Sequence, residues 1–585
     1  MCFLSSSARA ALPLAVLIFC TVGARVAAAV EAPPSAPPPT GIASPFLVTI
    51  RVDAAQPVGK MEPFWAMFGY DEPNYTTMRD GKKLLSQLAA LATPTGVPVQ
   101  IRAHNLLTTG DGTPALKWGS TNAYTEDADG RPHYDWTIVD RIFDTYRERG
   151  IKPFVQLGFM PQALSIEPEP YQHHWTPKDK YSAIYTGWAR PPKDYAKWGE
   201  LSYQWAKHSV EKYGAAEVNT WWWEVWNEAN NQPKGYWGGS IEEFLKLHDY
   251  AIAGVRRALP TARVGGPHTA GSGGAFMQAF LEHALRGTNY ATGEKGTPLD
   301  FVAFHAKGSP TFVDGHVRMG IRNQLKTIET AFATFASYPE LKGKPVIIGE
   351  SDPEGCAACQ GPQNAYRNGT MYSSYTAASF ARKHDLADLH GINLEGAVTW
   401  AFTFEDQPWF AGFRQVASNG VPMAVFNVFR MFAQMGPERL PATSSAQLAL
   451  TEIVDKGVRA APDVGVLASR ASNQIAVMVW HYHDDDVPGP DAAISLALAG
   501  LPASLTTAKL THTRIDQHHS NAYAEWLRMG SPVAPNEAQY AQLEKFSALT
   551  PLTGAPATVA VANGAATLDF ALPRQGVSFL VLSWE

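Results

Sequence analysis

Residues 221–230 read WWWEVWNEAN, an aromatic and apolar run that ends in Asn227 and Glu228. A pattern typical of an amphipathic helix precedes this run at 195–212, and another follows it at 241–258. A short buried strand between two helices is the repeating unit of an α/β protein. A carboxyl group among so many rings would be partly desolvated, which raises its pKa and lets it act as an acid near neutral pH. An ordinary loop acid is the alternative for this stretch taken alone.

The same alternation extends on both sides, from about residue 65 to residue 435. Eight short apolar runs are predicted strands: 65–70, 99–104, 152–158, 221–226, 263–268, 301–305, 345–349 and 396–402. Helical patterns between them include 136–149, 195–212, 241–258 and 372–389. Eight strand–helix repeats predict a (β/α)8 TIM barrel, in which active residues lie at the C-terminal ends of the strands. A doubly wound sheet would usually show a Gly-rich turn after its first strand, and GYDEP is not such a turn.

The pattern changes at about residue 441. Short, partly alternating runs follow at 464–467, 475–480, 494–498, 508–512, 558–561, 566–570 and 577–584. They predict a β-sandwich, interrupted by a helix or loop at 521–549. The strand-like run 46–52 precedes the barrel and lacks a partner there, so it is a candidate to pair with the sandwich. We therefore predict four parts of the chain: a signal peptide 1–29, a Pro-rich linker 30–45, a catalytic barrel 46–440 and a sandwich domain 441–585.

The N-terminal residues are typical of a secretory signal. Arg9 supplies the positive charge, an apolar stretch covers 11–22, and three alanines at 27–29 offer a cleavage site. We therefore expect a secreted or periplasmic protein. Cys356 and Cys359 lie outside this signal, and in an oxidising compartment a local disulfide is favoured over two free thiols. A zinc site would need two further ligands that the sequence does not offer as a second Cys pair.

The composition narrows the function classes. Lys and Arg number 48 against 54 Asp and Glu, which excludes a nucleic-acid binder that relies on a basic surface. No later run reaches about 18 uncharged apolar residues, so no membrane span is predicted. Of the 17 Trp residues, nine fall within 175–237. Abundant Trp fits either a large core or a surface that stacks on sugars, and this concentration around the proposed acid favours a sugar pocket.

A second carboxyl group ends another predicted strand. Residues 345–353 read PVIIGESDP, in which an apolar run stops at Glu350. Glu350 lies 122 residues (350 − 228) after Glu228, so the two would face the same barrel mouth from strands seven and four. Two carboxyl groups about 5–5.5 Å apart are what retaining glycoside hydrolysis needs. A non-catalytic carbohydrate-binding protein would have no need for both carboxyl groups.

Several motifs carry a family resemblance. They are IRAH at 101–104, GIKPF at 150–154, EVWNEA at 224–229, GESDP at 349–353 and RID with HSNAY at 514–523. On these motifs the chain resembles glycoside hydrolase family 39, a family of retaining (β/α)8 enzymes that includes β-xylosidases and α-L-iduronidases. The resemblance covers most of residues 60–585. It implies a glycosidase that needs neither a metal nor an organic cofactor and that takes a carbohydrate as its substrate.

The resemblance also assigns roles to residues. It makes Glu228 the acid/base and Glu350 the nucleophile. It makes Asn227 a hydrogen-bond partner of the sugar hydroxyl beside the reacting carbon. The other expected substrate-binding residues are His104, His305, Trp400 as a floor under the sugar, and Phe159, Glu405, Asp406 and Trp409 at the pocket rim. Barrel packing is the alternative for Trp400, and a structural imidazole is the alternative for each His. His173–His174 and Asp484–Asp486 lack the spacing of metal ligands, so solvated loops are favoured there.

One position leaves the substrate open. Lys307, in HAKG at 305–308, stands where β-xylosidases of the family tend to have an aromatic residue, and the iduronidases resemble the chain better there. A cation at this place pairs either with an anionic sugar or with a pocket carboxylate such as Glu405 or Asp406. Arg414 is a further candidate cation. The expected activity is a β-xylosidase, and a uronide- or arabinose-specific or endo-acting hydrolase is the alternative.

Overall fold

The protein is described here from a computed structural model that covers residues 44–176, 186–231 and 235–585. The predicted signal peptide and all but the last two residues of the linker lie outside the described residues. The central sheet is parallel, and its strands are Met67–Tyr70, Gln100–Ala103, Lys152–Leu157, Trp222–Val225, Arg263–Thr269, Phe301–Lys307, Pro345–Asp352 and the pair Asn393–Ala397 and Thr399–Trp400. The last two segments form one interrupted eighth strand, which closes the sheet by pairing with strand seven and with the first strand. The predicted α/β barrel class is confirmed.

Helices follow the strands as the sequence patterns predict. The α-helices are Arg79–Ala89, Ala92–Thr95, Thr137–Arg147, Tyr195–Tyr213, Ala215–Val218, Ile241–Ala258, Gly274–Arg286, Ile321–Ala336, Thr370–His390, Phe426–Ala433, Leu450–Lys456, Ala522–Arg528 and Glu537–Ser547. Short 3-10 helices are Pro73–Thr77, Gln162–Leu164, Gly187–Ala189, Pro339–Leu341 and Pro362–Arg367. The helix after strand four begins with a capping box, in which Ser240 and Glu243 satisfy each other's backbone N–H groups.

The inside of the barrel is filled by side chains from alternating strand positions. They form one cluster: Met67, Phe154, Trp222, Phe301, Ala303, Ile347, Val398 and Trp400. Gly69 leaves room for the Trp400 ring, since a Cβ at position 69 would lie 2.4 Å from it. The barrel is therefore a packed core, and the catalytic chemistry is confined to its C-terminal mouth.

The tryptophans around strand four are packing residues. All nine between 175 and 237 are at most 5% exposed. Trp221 and Trp223 pack near each other, and Trp205 from the helix Tyr195–Tyr213 lies against Trp223. Their concentration along the sequence comes from the layer between strand four and its helices. The interpretation that the excess marks a sugar-stacking surface is therefore wrong for most of them.

Two antiparallel-rich sheets form the sandwich. One has the strand order Ala442–Ser444, Phe46–Asp53, Ala492–Ala499 and Ala566–Leu572. The other has the order Gly59–Lys60, Glu438–Leu440, Asp463–Ala471, Gln474–Tyr482, Val577–Ser583, Thr507–Ile515 and Thr558–Ala560. A separate apolar core lies between them and includes Val48, Val477 and Leu496. The boundary predicted at residue 440 stays a prediction, because the barrel and the sandwich belong to one compact unit.

The interruption predicted at 521–549 contains two helices, Ala522–Arg528 and Glu537–Ser547. They pack against the loop that follows barrel strand eight: Phe410 contacts Tyr523 and Trp526, and Trp409 contacts Tyr540. In the part of the chain that the structure describes, three two-stranded hairpins lie outside these sheets: Tyr124–Glu126 with Pro132–Tyr134, Thr311–Val313 with His316–Arg318, and Ala417–Ser418 with Val421–Pro422. Among the described residues, no helix has the length and apolar content to cross a membrane.

Candidate active site

Glu228 and Glu350 meet at the barrel mouth. Glu228 follows the fourth strand, and Glu350 lies within the seventh, three strands away around the barrel. A carboxylate oxygen of Glu228 lies within 4.8 Å of one of Glu350. Their side chains are 15% and 8% exposed, so both are largely withdrawn from water but reachable from the mouth.

The backbone turns sharply to present Glu228. Trp226 and Glu228 have φ angles of 69° and 46°, in the left-handed region that side chains other than glycine rarely adopt. Each such residue costs about 1 kcal/mol or more, and such costs cluster at functional sites. Hydrogen bonds hold the turn in place: the Trp226 N–H donates to the Leu157 carbonyl, and the Glu228 N–H donates to the His268 carbonyl. Strands three and five therefore fix the position of this side chain.

His305 contacts both carboxyl groups. It is paired in register with Glu350 on the neighbouring strand. Its Nδ1 lies 2.8 Å from Glu228 Oε1 and 3.6 Å from Glu350 Oε1. Burial lowers the pKa of His305 well below its ordinary value, so the ring is neutral. The resemblance made His305 a substrate-binding residue, and the structure places its nearest carboxylate contact on Glu228.

Lys307 pairs with carboxylates of strand seven. Its Nζ lies 2.7 Å from Glu350 Oε2 and 2.6 Å from Asp352 Oδ2. Burial would lower the pKa of Lys307, but Asp352 and then Glu350 raise it above its ordinary value, so the ammonium stays charged. The partners are therefore Glu350 and Asp352, and the suggested pairing with Glu405 or Asp406 is wrong.

Arg102 connects several site residues and was missed as a functional residue in the sequence. It is fully buried, and its Nε lies 2.7 Å from Glu224 Oε1. Its two terminal nitrogens lie 2.9 Å from Asn227 Oδ1 and 3.4 Å from Glu350 Oε1. His268 contacts the other oxygen of Glu224. The sequence does contain a signal for this network, because Arg102 and Glu224 are charged residues at inward positions of two otherwise apolar strands.

Asn227 is oriented by this network. Its Oδ1 accepts from Arg102, and its Nδ2 has no hydrogen-bond partner among the described residues. The amide N–H group is thus left for a ligand. His104 is fully buried, with Nδ1 2.7 Å from Asp71 Oδ1 and Nε2 3.8 Å from Glu350 Oε1.

The two glutamates have opposite acidities. Burial and the neighbouring Glu350 carboxylate raise the pKa of Glu228 to about 7. Burial would also raise the pKa of Glu350, but the Lys307 ammonium and other nearby positive groups hold it well below its ordinary value. Near neutral pH, Glu228 can therefore carry a proton beside an ionised Glu350, which is the arrangement an acid and a nucleophile require.

Phe159 and Trp400 form part of the aromatic surroundings. Phe159 is fully buried and packs against Trp226 and Tyr236. The Trp400 ring lies 4.2 Å from the His104 ring but belongs to the barrel interior, where the residue is 3% exposed. Trp400 therefore lies below the site and supports it by packing.

Three of the expected rim residues make their described contacts with other parts of the protein. Glu405 accepts a hydrogen bond from the Asp80 N–H at 2.9 Å, at the start of the helix Arg79–Ala89. A carboxylate at that end of a helix is stabilised by the unpaired N–H groups. Asp406 is exposed, and Trp409 packs on Tyr540. Their described contacts do not reach the carboxylate pair, so the expectation of a shared pocket rim receives no support from them.

Arg414 lies behind the site as a structural cation. It is fully buried, and its guanidinium lies 2.5 Å from Glu354 Oε1 and 3.6 Å from Asp352 Oδ2. Glu354 also pairs with Arg367, which donates to the carbonyls of the loop that holds Cys356. Cys356 and Cys359 form a disulfide with a Cα–Cα distance of 5.4 Å, as the sequence favoured.

The other clusters considered for metal binding have protein partners. Asp484 accepts from Tyr482 and from the Val458 N–H, and Asp485 pairs with Arg318. The rings of His173 and His174 contact each other, with their centroids 6.0 Å apart. Among the described residues, only Glu228, His305 and Glu350 are close enough together to share a cation. The Lys307 ammonium already places a positive charge on Glu350 there.

Comparisons with known proteins agree on one family. The model for glycosyl hydrolases family 39 matches residues 48–564. A beta-xylosidase from Caldicellulosiruptor saccharolyticus is 26% identical over 439 residues, which are 72% of this chain and 78% of that protein. The alpha-L-iduronidase of Homo sapiens is 26% identical over 570 residues, which are 92% of this chain and 78% of that protein. The solved structure of a monomeric beta-xylosidase from Caulobacter crescentus CB15 has a TM-score of 0.70 to this chain at 20% identity. The match covers 92% of this chain and 99% of that one. At this identity the similarity shows the fold alone.

Proposed function

Since the chain belongs to glycosyl hydrolase family 39 and is a glycoside hydrolase, we propose that it is a retaining, exo-acting β-xylosidase. One observation carries the mechanism: two carboxyl groups with oxygens within 4.8 Å of each other, one with its pKa raised and the other with its pKa lowered. This spacing supports the retaining mechanism, because an inverting pair is about 6.5–9.5 Å apart to admit a water between them.

The reaction follows from these charges. Glu350 attacks the anomeric carbon, and the leaving oxygen takes the proton of Glu228, so a covalent glycosyl-enzyme forms. Glu228 is then a carboxylate and removes a proton from the incoming water, which displaces Glu350 and restores the starting configuration. His305, hydrogen-bonded to Glu228 at 2.8 Å, keeps this carboxyl group aimed at the leaving oxygen in the first step and at the incoming water in the second.

Asn227 binds the sugar in the proposed mechanism. Arg102 fixes its carbonyl oxygen, which turns the amide N–H toward the site. We assign this N–H as a donor to the oxygen of the hydroxyl beside the reacting carbon, a group whose hydrogen bonds strengthen in the transition state. The low exposure of both glutamates supports an enclosed pocket that takes the end of a chain.

The pairing of Lys307 supports a neutral sugar. Its ammonium is neutralised by Glu350 and Asp352, so an uncharged pentose leaves the charges of the pocket balanced. A uronide-specific enzyme is the second candidate. It is favoured by the 17% exposure of the Lys307 side chain, through which an anionic sugar could share the ammonium. An arabinoside-specific or endo-acting hydrolase stays the remaining alternative.

We further propose that the protein acts outside the cytoplasm, on oligosaccharides released from plant-type polysaccharides. The N-terminal signal pattern and the Cys356–Cys359 disulfide support this location, because disulfides persist in oxidising compartments.

The deciding experiment compares nitrophenyl β-xyloside, α-arabinoside and uronide substrates and follows the first product by proton NMR. A β-xylosidase should have its highest kcat/KM on the xyloside and release β-xylose before mutarotation. Preference for the uronide by tenfold or more would replace the proposed substrate. Release of α-xylose would overturn the retaining mechanism.

A further inference from the structure

Strand seven contains one extra residue directly before Glu350. Its pairing with strand six is regular up to Ile348 and resumes with His305 opposite Glu350, so Gly349 is skipped. An extra residue of this kind is a β-bulge. Only glycine fits at the skipped position, because a Cβ at Gly349 would collide with the His268 ring.

The hydrogen bonds to strand eight show the same extra residue. Val398 donates its N–H to the Ile348 carbonyl, and its own carbonyl accepts the Ser351 N–H. These two bonds enclose both Gly349 and Glu350, one residue more than in regular pairing. The bulge is therefore present on both edges of strand seven.

The bulge turns Glu350 into the site. Successive side chains of a strand point to opposite faces. Ile347 belongs to the cluster inside the barrel, whereas Ile348 belongs to the larger cluster outside it. Unbroken alternation would therefore direct Gly349 inward and Glu350 outward. The extra residue reverses the order, and Glu350 faces His305 at the mouth.

A buried glutamine lies behind the bulge. Gln324, on the helix Ile321–Ala336, is fully buried and shares its helix face with Ile321, Leu325 and Ile328. This face packs against strand six. A polar side chain at such a position is costly unless its hydrogen bonds are satisfied.

The amide nitrogen of this glutamine reaches both strands beyond the bulge. Nε2 lies 3.1 Å from the Ala306 carbonyl oxygen, 3.3 Å from the Asp352 carbonyl oxygen and 3.4 Å from Ser351 Oγ. Ala306 directly precedes Lys307, and Ser351 directly follows Glu350. The amide therefore joins the backbone segments that carry the ammonium and the nucleophile.

The other end of the amide is held by the next helix, Thr370–His390. The Tyr375 hydroxyl donates to Gln324 Oε1 at 2.9 Å, and the Ser379 hydroxyl donates to it at 2.6 Å. Lys383 in turn donates to Ser379 at 2.6 Å. Donors on the oxygen side and acceptors on the nitrogen side fix the orientation of the amide.

We propose that Gln324 is a positioning residue that pins the bulge and thereby holds Glu350 in the site, against Lys307 and opposite Glu228. The inference rests on the role of Glu350 in the proposed function. A slip of one residue in the pairing would move every following side chain to the other face of the strand. The amide opposes this slip because it binds both strands beyond the skipped residue.

The first test is Gln324→Met, which keeps the length of the side chain and removes its hydrogen bonds. The substrate is whichever nitrophenyl glycoside the enzyme cleaves best. We expect kcat to fall about 10–100-fold, because a small misplacement of a reacting group is costly. KM should change less than kcat, since Gln324 lies behind the strand and outside the pocket.

Asn427→Leu is the matched control. Asn427 is also a fully buried amide, and its nitrogen donates to the carbonyls of Ser520 and Ser547, between the helix Phe426–Ala433 and the sandwich. The control should lower the unfolding midpoint, as Gln324→Met does, but keep kcat near that of the wild type. An equal loss of kcat in both variants overturns the proposal, because lost stability would then explain it.

Tyr375→Phe keeps the proposal testable if Gln324→Met does not fold, because it removes only one hydroxyl. The amide then loses one of the two donors to its oxygen, and kcat should fall about 2–10-fold. An unchanged kcat in Tyr375→Phe overturns the proposal.

Crystal structures separate this inference from the proposed function. In Gln324→Met, the distance between Glu350 Oε2 and Lys307 Nζ, 2.7 Å in the wild type, should increase by more than about 0.5 Å. A Glu350 carboxylate at its wild-type position overturns the inference even if the enzyme is a β-xylosidase. A displaced Glu350 in this variant, together with no glycosidase activity in the wild type, would instead refute the proposed function.

Discussion

Glu228→Gln tests the acid/base role through stability as well as activity. The pKa of Glu228 is raised from 4.5 to about 7, a difference of about 2.5 pH units, or roughly 3 kcal/mol at about 1.36 kcal/mol per unit. The folded-state pKa lies above the unfolded one, so the native state binds this proton more tightly. Its contribution to stability is fully present below about pH 4.5 and is lost as the pH rises through about 7.

Glutamine keeps the size of the side chain and its reach to His305 but does not titrate. The variant should therefore gain stability relative to the wild type between pH 4.5 and pH 8, by roughly 3 kcal/mol. For a chain of 585 residues this is about 3 °C in melting temperature. Calorimetry of both proteins at the two pH values measures the difference, and titrating groups that do not interact with Glu228 cancel in it. An equal melting-temperature difference between the proteins at both pH values would refute the raised pKa.

The same variant separates the two chemical steps. Glycosylation by nitrophenyl β-xyloside should slow about 10²–10⁴-fold, because the leaving oxygen has lost its acid. A dinitrophenyl xyloside, whose leaving group needs no proton, should lose much less in this step and show a burst followed by slow turnover. The basic limb near pH 7 should disappear from kcat/KM. Equal losses on the two substrates, or a basic limb that remains, would show that another group is the acid.

Three further predictions use other parts of the site. Glu350→Ala should abolish turnover and keep the native circular dichroism spectrum, and activity near that of the wild type would show that Glu350 is not the nucleophile. Lys307→Met should lower kcat on neutral xylosides as well as on uronides and move the acid limb upward, because the ammonium binds Glu350 directly; a loss confined to uronides would favour the second candidate. Gly69→Ala should destabilise the fold by about 1–3 kcal/mol in denaturant titrations, since its Cβ would lie 2.4 Å from the Trp400 ring, and an unchanged midpoint would contradict the tight packing.

The barrel could be predicted from the sequence because each strand is a short apolar run between helical patterns. All eight runs are strands, with shifts of a few residues at their ends. The eighth differs most, since it starts at Asn393 and is interrupted at Val398. Glu228 and Glu350 could be placed together for the same reason, because barrel topology brings the C-terminal ends of strands four and seven to one mouth.

The partners of these carboxyl groups could not be predicted as readily. Lys307 pairs with Asp352 through the register of two neighbouring strands, which the sequence alone does not give. Arg102 lies within the IRAH motif, and a buried guanidinium at an inward strand position requires a counter-charge. Its partner Glu224 lies 122 residues away (224 − 102).

The positions that the sequence predicts least well are those set by loops or by packing. Glu405 and Trp409 follow strand eight, and the course of that loop depends on contacts with helices of the sandwich. Arg414 is a further candidate cation in the sequence, and in the structure it pairs with Glu354 and Asp352. The concentration of tryptophans near Glu228 in the sequence predicts a pocket, but closeness along the chain does not place a ring at the site. Most of these rings pack outside the barrel against helices.

The strand Phe46–Asp53 has a consequence for biosynthesis. It lies inside a four-stranded sheet and pairs in parallel with Ala492–Ala499, so Phe46 meets a residue made 446 positions later (492 − 46). At about 5–20 residues per second, a ribosome needs roughly 20–90 s to deliver that partner. Through this interval an apolar edge must stay unpaired while the barrel forms. Neither a truncation at residue 440 nor the isolated C-terminal segment would contain the whole sheet, so each half alone would leave strands of this sheet without their partners.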